Sequence, residues 1–255
     1  MDWRKQGPAK EHIIARKNRF EKSIFDKVHS ENLYYNFPEL MDLEDRFNIR
    51  STFFFRTYYE NGNYLDYEDE IKSLIKGNWE IGLHMDGKSI KNLDLIKKEK
   101  SNLEILTKKP INGNRVHYLS FDNMLLSKLF QAGFTYDSTM KKYKDRTSIE
   151  DMNYSKINEI IEFPLTIMDT YLFTYMGVTE KNILDIFKDA ISTAIDKDNS
   201  KNIKIITLLW HDNVIKMIGG RKYKDILEFL VSDNNIEIKR GIDLVKIIDN
   251  YKKGV

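Results

Sequence analysis

Apolar positions along the chain switch repeatedly between two spacings. From residue 11 to 28, Ile13, Ile14, Phe20, Ile24, Phe25 and Val28 recur at roughly helical intervals on a heavily charged background, which predicts a surface helix. A second helix is predicted over 37–47, with Pro38 in its first turn and Leu40, Leu43 and Phe47 on one face. Residues 50–56 break that period with a compact β-favouring run centred on Phe53 to Phe55, of the kind buried on both faces of a parallel sheet. The same alternation predicts a helix over 67–76, a strand over 79–84, a helix over 93–108 ended by Pro110, and a strand or extended loop over 113–119. A helix over 123–132 and a short strand over 134–136 follow, then a polar loop or insertion over 141–158. The remaining pattern predicts a strand over 159–167, a helix over 179–197 with Thr179 as N-cap, a strand over 203–210, a helix over 223–231, a strand over 236–239 and a closing helix over 242–251.

Strand and helix taking turns argue a parallel sheet with helical crossovers, open or closed into a barrel, in which chemistry gathers at the carboxyl ends of the strands. No repeat, proline-rich linker or low-complexity block interrupts the pattern, so we expect a single domain over 1–255. The opening residues lack the apolar core of a secretory signal, and the longest apolar stretch, around Ile205 to Trp210, is too short to span a bilayer. We therefore expect no membrane span and a cytoplasmic location. The 41 basic and 39 acidic side chains leave a formal charge of +2 and are mixed throughout, so there is no electrostatic footprint for nucleic acid. Oligomeric state is not legible. With no cysteine, any bound metal must use His, Asp or Glu.

Three of the five histidines carry the chemical signal. His84, His117 and His211 lie at or near the carboxyl ends of three separate predicted strands, positions that converge on one rim of a parallel α/β fold. There, neutral imidazoles can ligate a metal and a further one can move a proton. Each imidazole taken alone also reads as an ordinary surface or hydrogen-bonded core histidine. Asp2, Asp137 and Asp169 each adjoin an apolar run and complete the inventory of a hydrolytic metal site, although an aspartate after a strand is as often a cap or turn residue. Trp210, just before His211, is a candidate substrate wall, with core packing as its other role.

The segments at 49–55, 79–84 (ending in His84), 115–119 (Arg115, Val116, His117, Tyr118, Leu119), 132–139 (with Asp137), 163–169 (ending in Asp169) and 208–211 (ending in His211) occur in an order that resembles the polysaccharide deacetylase family. More narrowly, they resemble its NodB-type branch, carbohydrate esterase family 4. The resemblance implies a distorted (β/α) barrel of about seven strands or fewer, a divalent metal, usually zinc, and removal of an acetyl group from an N-acetylated sugar or polysaccharide. It further implies His84 as a metal ligand, His211 as general acid, Asp169 as a catalytic-site aspartate and Arg115 as the residue that orients a catalytic carboxylate. Asp137 is expected to help bind the carbohydrate substrate.

Two departures bear on activity. The family's second histidine would fall at Lys88, and an ammonium cannot ligate a metal, so we expect His117, or less readily Asp86, to replace it. The family's first strand ends in an acidic motif, whereas this sequence begins at Met1 and Asp2. We read Met1 as the middle of an original Asp-Met-Asp, with the start upstream or the copy shortened. Asp2 is then the surviving metal carboxylate, the base is absent, and the barrel has a gap beside the 50–56 strand. A carbohydrate- or partner-binding relative without catalysis, and a metal hydrolase of another amide or ester, stay open because a fold does not fix its substrate.

Overall fold

The computed structural model describes residues 3, 5–7, 10–59, 62–197 and 203–252. Its strands are β1 (Thr52–Phe55), β2 (Tyr58–Tyr59), β3 (Gly62–Asn63), β4 (Glu80–Met85), β5 (Gly113–Val116), β6 (Tyr136–Asp137), β7 (Ser155–Ile157), β8 (Ile160–Glu162), β9 (Ile167–Met168) and β10 (Leu208–Leu209). The main sheet has the order β1-β4-β5-β6-β8-β7, parallel throughout except for β7 at its edge. β9 and β10 form a separate parallel pair, and β2 and β3 a small antiparallel ribbon. β4 is buried at every position, as a strand covered on both faces must be. β1 instead alternates, burying Phe53 and Phe55 on the helix side and leaving Thr52 and Phe54 half-buried.

Helices Phe37–Arg46, Glu68–Lys76, Leu93–Thr107 and Leu125–Gln131 supply much of the core around the main sheet, which includes Leu40, Ile71, Leu74, Ile96, Leu103 and Leu129. On another side, Tyr136, Phe163, Ile205, Val245 and Ile248 pack together. The Tyr136 ring fits because two neighbours lack side chains. A Cβ at Gly113 would lie 2.1 Å from its Cζ, and one at Gly241 would lie 2.3 Å from it.

Several predicted elements change form. The 11–28 helix is a chain of short pieces, Lys10–Ile14, Lys17–Arg19, Lys22–Phe25 and Asp26–His29, because Phe20 and Glu21 are extended and turn Phe20 into a cluster with Ile13, Val28, Leu33, Tyr34 and Met217. The 141–158 loop contains β7, which joins β8 through Asn158 and Glu159, both at positive φ (49° and 67°), the backbone a two-residue hairpin with the strands' own twist requires. The 159–167 strand divides into β8 and β9. Of the 203–210 strand only Leu208–Leu209 is laddered, and 236–239 has no ladder partner among the described residues. Thr179 does not cap a helix directly; its amide and hydroxyl donate to Asn182 Oδ1, and the helix begins at Ile183.

Among the described residues β1 pairs only with β4 and β10 only with β9, so the hydrogen-bonded ring is not closed. A cavity of about 1150 Å³ opens there, walled by Phe53 and Phe54 on one side and Leu208 to Trp210 on the other. Met1 and Asp2 lie outside the described residues.

Candidate active site

Three strand ends bring the histidines to this cavity. His84 is the penultimate residue of β4, His117 follows β5, and His211 follows β10 by one residue; all three line the cavity with Arg115 and Trp210. His84 Nδ1 lies 2.8 Å from the carbonyl oxygen of Arg115. A carbonyl can only accept, so Nδ1 carries the proton, and in a neutral His84 the lone pair is on Nε2. The His117 ring meets it edge to face, centroids 5.2 Å apart. Directly after His117 the chain passes through two left-handed residues, Tyr118 (φ 59°) and Leu119 (φ 52°). Such backbone costs roughly 1–3 kcal/mol per non-glycine residue and is retained where the surroundings over-determine it. Here it lays the Tyr118 ring over His117, centroids 3.9 Å apart, while leaving Tyr118 86% exposed.

On the opposite wall a wholly buried carboxylate grips His211 twice. Asp169 Oδ1 accepts from His211 Nδ1 at 2.6 Å, and Oδ2 accepts from the His211 backbone amide at 2.6 Å. The ring's Nδ1 is thereby fixed as the protonated nitrogen facing the carboxylate, which makes Nε2 the nitrogen that would exchange a proton. Arg115 donates from Nε to the Ser138 carbonyl (2.9 Å) and from a terminal nitrogen to Ser138 Oγ (2.8 Å), with its guanidinium 4.5 Å over the Phe54 ring.

One expectation needs correction. Asp137 is entirely buried and does not line the cavity; its carboxyl accepts from Asn114 Nδ2 and Thr139 Oγ1, so it is in no position to touch a substrate. Trp210 lines the cavity and is packed as well, its indole stacked on Tyr223 (centroids 5.3 Å) and donating to the Gly220 carbonyl.

The donors fit a metal ion in part. His84 and His117 stand together, ring centroids 5.2 Å apart, but among the described residues no group of three His, Asp or Glu side chains could hold an ion. Asp2, the expected third ligand, lies outside the described residues. Asp86 is held by Arg56 at 3.1 Å and by the Lys88 amide. Burial raises its pKa, and the Lys88 amide, Arg56 and the charge of His117 outweigh burial and hold it below the usual range. Lys88 itself is exposed.

The sequence reading passed over Glu99. This buried acid accepts from Ser89 Oγ, Thr57 Oγ1 and the Asp86 amide, and so braces the turn that follows β4. Its signal was present: 96, 99, 103 and 107 are the buried face of their helix, and Glu99 occupies it among apolar residues.

No family model and no curated protein matches the chain. Solved structures do. A protein from Mycobacterium smegmatis assigned as a polysaccharide deacetylase aligns over 86% of this chain and 79% of its own, with a TM-score of 0.64 at 16% identity. The peptidoglycan deacetylase PdaC from Bacillus subtilis aligns over 86% and 88% (TM-score 0.52, 13% identity). A carbohydrate esterase family 4 pseudoenzyme from Bacillus anthracis aligns over 82% and 60% (TM-score 0.52, 10% identity). The fold is therefore that of the NodB-type polysaccharide deacetylases, with a parallel central sheet and flanking helices.

Proposed function

We propose that this protein is a metal-dependent hydrolase that removes acetyl groups from an N-acetylated sugar or polysaccharide. One observation carries the reading: the His84–His117 pair and the carboxylate-held His211 line a single cavity at the strand ends of a deacetylase fold. His84, His117 and Asp2 would hold a divalent ion, zinc in the first instance, since imidazole and carboxylate are its ordinary ligands. When bound, such an ion supplies Lewis acidity at the acetamide carbonyl. His211 would deliver a proton from Nε2 to the departing amine, while Asp169 keeps Nδ1 protonated and balances the imidazolium charge. Arg115, fixed on Ser138, would orient a carboxylate at the cavity wall.

The test is acetate release from N-acetylglucosamine oligomers. His84→Ala and His211→Ala should each abolish it while the variants stay folded; unchanged turnover in both would overturn the proposal. A second reading has its own support. Two imidazoles without a third ligand among the described residues, in a fold that also serves a pseudoenzyme, fit a carbohydrate- or partner-binding protein without catalysis. Protein purified without chelator and lacking stoichiometric metal would favour that reading. Acetate-free turnover of another amide or an ester would retain the hydrolase and change the bond.

A further inference from the structure

Asp137 and Glu162 are register partners across the parallel pair β6–β8, and neither is exposed at all. Two carboxyl groups thus sit side by side, shut off from bulk solvent. Their oxygens divide into two sets. Asp137 Oδ1 accepts from Asn114 Nδ2 (2.7 Å) and Thr139 Oγ1 (2.9 Å), while Glu162 Oε1 accepts from the amides of Thr139 (3.2 Å) and Met140 (2.8 Å). Asp137 Oδ2 and Glu162 Oε2 are buried with no donor from any other group. Register and burial set the two carboxyls beside one another, and acceptor-only carboxylates can satisfy each other's orphaned oxygens only if one of them carries hydrogen. Two adjacent negative charges in a buried site would also repel strongly.

We infer that Asp137 and Glu162 share a single proton and act as one clamp on the turn after β6, positioning the cavity-wall residues Arg115 and His117. The reach of the clamp follows from its bonds. Ser138, inside the turn, receives both Arg115 donors. Thr139 Oγ1 donates to Asp137 and accepts from the amide of Val116, the residue before His117. Burial, followed by the neighbouring Asp137 charge, holds the Glu162 carboxyl well above the usual range, and burial likewise raises Asp137. Arg115, from β5, is the cation whose field reaches Asp137 and pulls the other way. The inference is independent of the proposed catalysis, because its readouts need no substrate.

Amide substitutions test it. In Glu162→Gln the amide nitrogen donates to Asp137 Oδ2 while Oε1 keeps both backbone donors; in Asp137→Asn the amide donates to Glu162 Oε2. Each single variant thus supplies the shared hydrogen covalently, whereas the double variant sets two N–H donors against each other. By urea denaturation at pH 7, both single variants should match or exceed the wild type, and the double variant should fall below either. The wild-type folding constant should also drop, relative to Glu162→Gln, by up to tenfold per pH unit as pH rises from the ordinary glutamate pKa toward that of the pair. A double variant as stable as the singles would mean two protons. Singles as damaged as the double would mean none. Either result overturns the inference. For the clamp's reach, the Arg115 Nε–H signal in NMR should lose exchange protection in Glu162→Ala and regain it in Glu162→Gln; protection unchanged in the alanine variant would sever the link to the site.

Discussion

At the scale of single residues, His211 is constrained at its side chain and its main chain by one carboxylate, and that arrangement decides what a substitution does. Asp169→Asn preserves shape but must turn an NH₂ toward either His211 Nδ1 or the His211 amide, both of which are donors. One bond is lost, or the ring adopts the other tautomer with Nδ1 accepting from the amide; in either case the carboxylate charge that balances an imidazolium is gone. We expect acetate release to fall about a hundredfold or more, in line with the usual contribution of a positioned acid, with little change in KM. Full activity in a folded Asp169→Asn variant would remove His211 as the proton donor. The histidines were legible because each stands at or near the end of a strand-like segment, and strand ends of a parallel sheet meet on one rim. Asp137 was misread for a related reason. It also ends such a segment, but whether it faces the cavity or Glu162 depends on the pairing of β6 with β8, which local sequence does not record.

Among the elements, the helix Leu93–Thr107 links β4 to β5 and therefore sets the strand ends that carry His84 and His117. Asn92 caps it, its side chain accepting from the amides of Asp94 and Leu95. Asn92→Ala should cost about 1 kcal/mol, the ordinary value of an N-cap, read as a lower urea midpoint. No change would show that water satisfies those amides equally well. This helix, Phe37–Arg46 and Tyr223–Ser232 were readable because their periodic faces are also their buried faces. The 11–28 segment has a similar spacing, but Phe20 gains more by leaving the helical path to reach Leu33, Tyr34 and Met217. At 236–239 the strand alternation is present, with Ile236 and Ile238 half-buried and Glu237 and Lys239 exposed. What that segment lacks is a partner, and pairing is a property of the sheet, not of the segment.

For the whole molecule, the buried acids set how stability follows pH. Burial lifts Glu44, Glu80 and Glu99 above the usual range. It prevails over Trp79, Ser51 and Tyr223 at Glu44, over the Ile242 amide and Thr52 at Glu80, and over Ser89, the Asp86 amide and Thr57 at Glu99. A raised folded pKa means the native state holds a proton the unfolded chain has released, so stability is full below about pH 4.3 and declines as pH rises through the folded value. Glu180 behaves oppositely. Its bonds to Arg221, against a smaller burial effect, bring it down to about 2, so its contribution is present above the ordinary glutamate pKa and lost as pH falls toward 2. Glu180 and Asp243, which Arg240 holds low, are ionised in both states above about pH 5 and add no slope there. His12, lowered by burial and then by Arg16 and Arg19, opposes the trend near its ordinary pKa, but it is a single, partly exposed imidazole against three buried carboxyls. Lys141, lowered by burial, opposes it only toward the alkaline end. Each buried acid contributes at most about 1.4 kcal/mol per pH unit within its window. The urea midpoint should therefore be highest near pH 5 and fall between pH 5 and 7. A midpoint rising steadily across that interval would mean that these carboxyls are ionised in the folded protein and that the donors around them outweigh their burial.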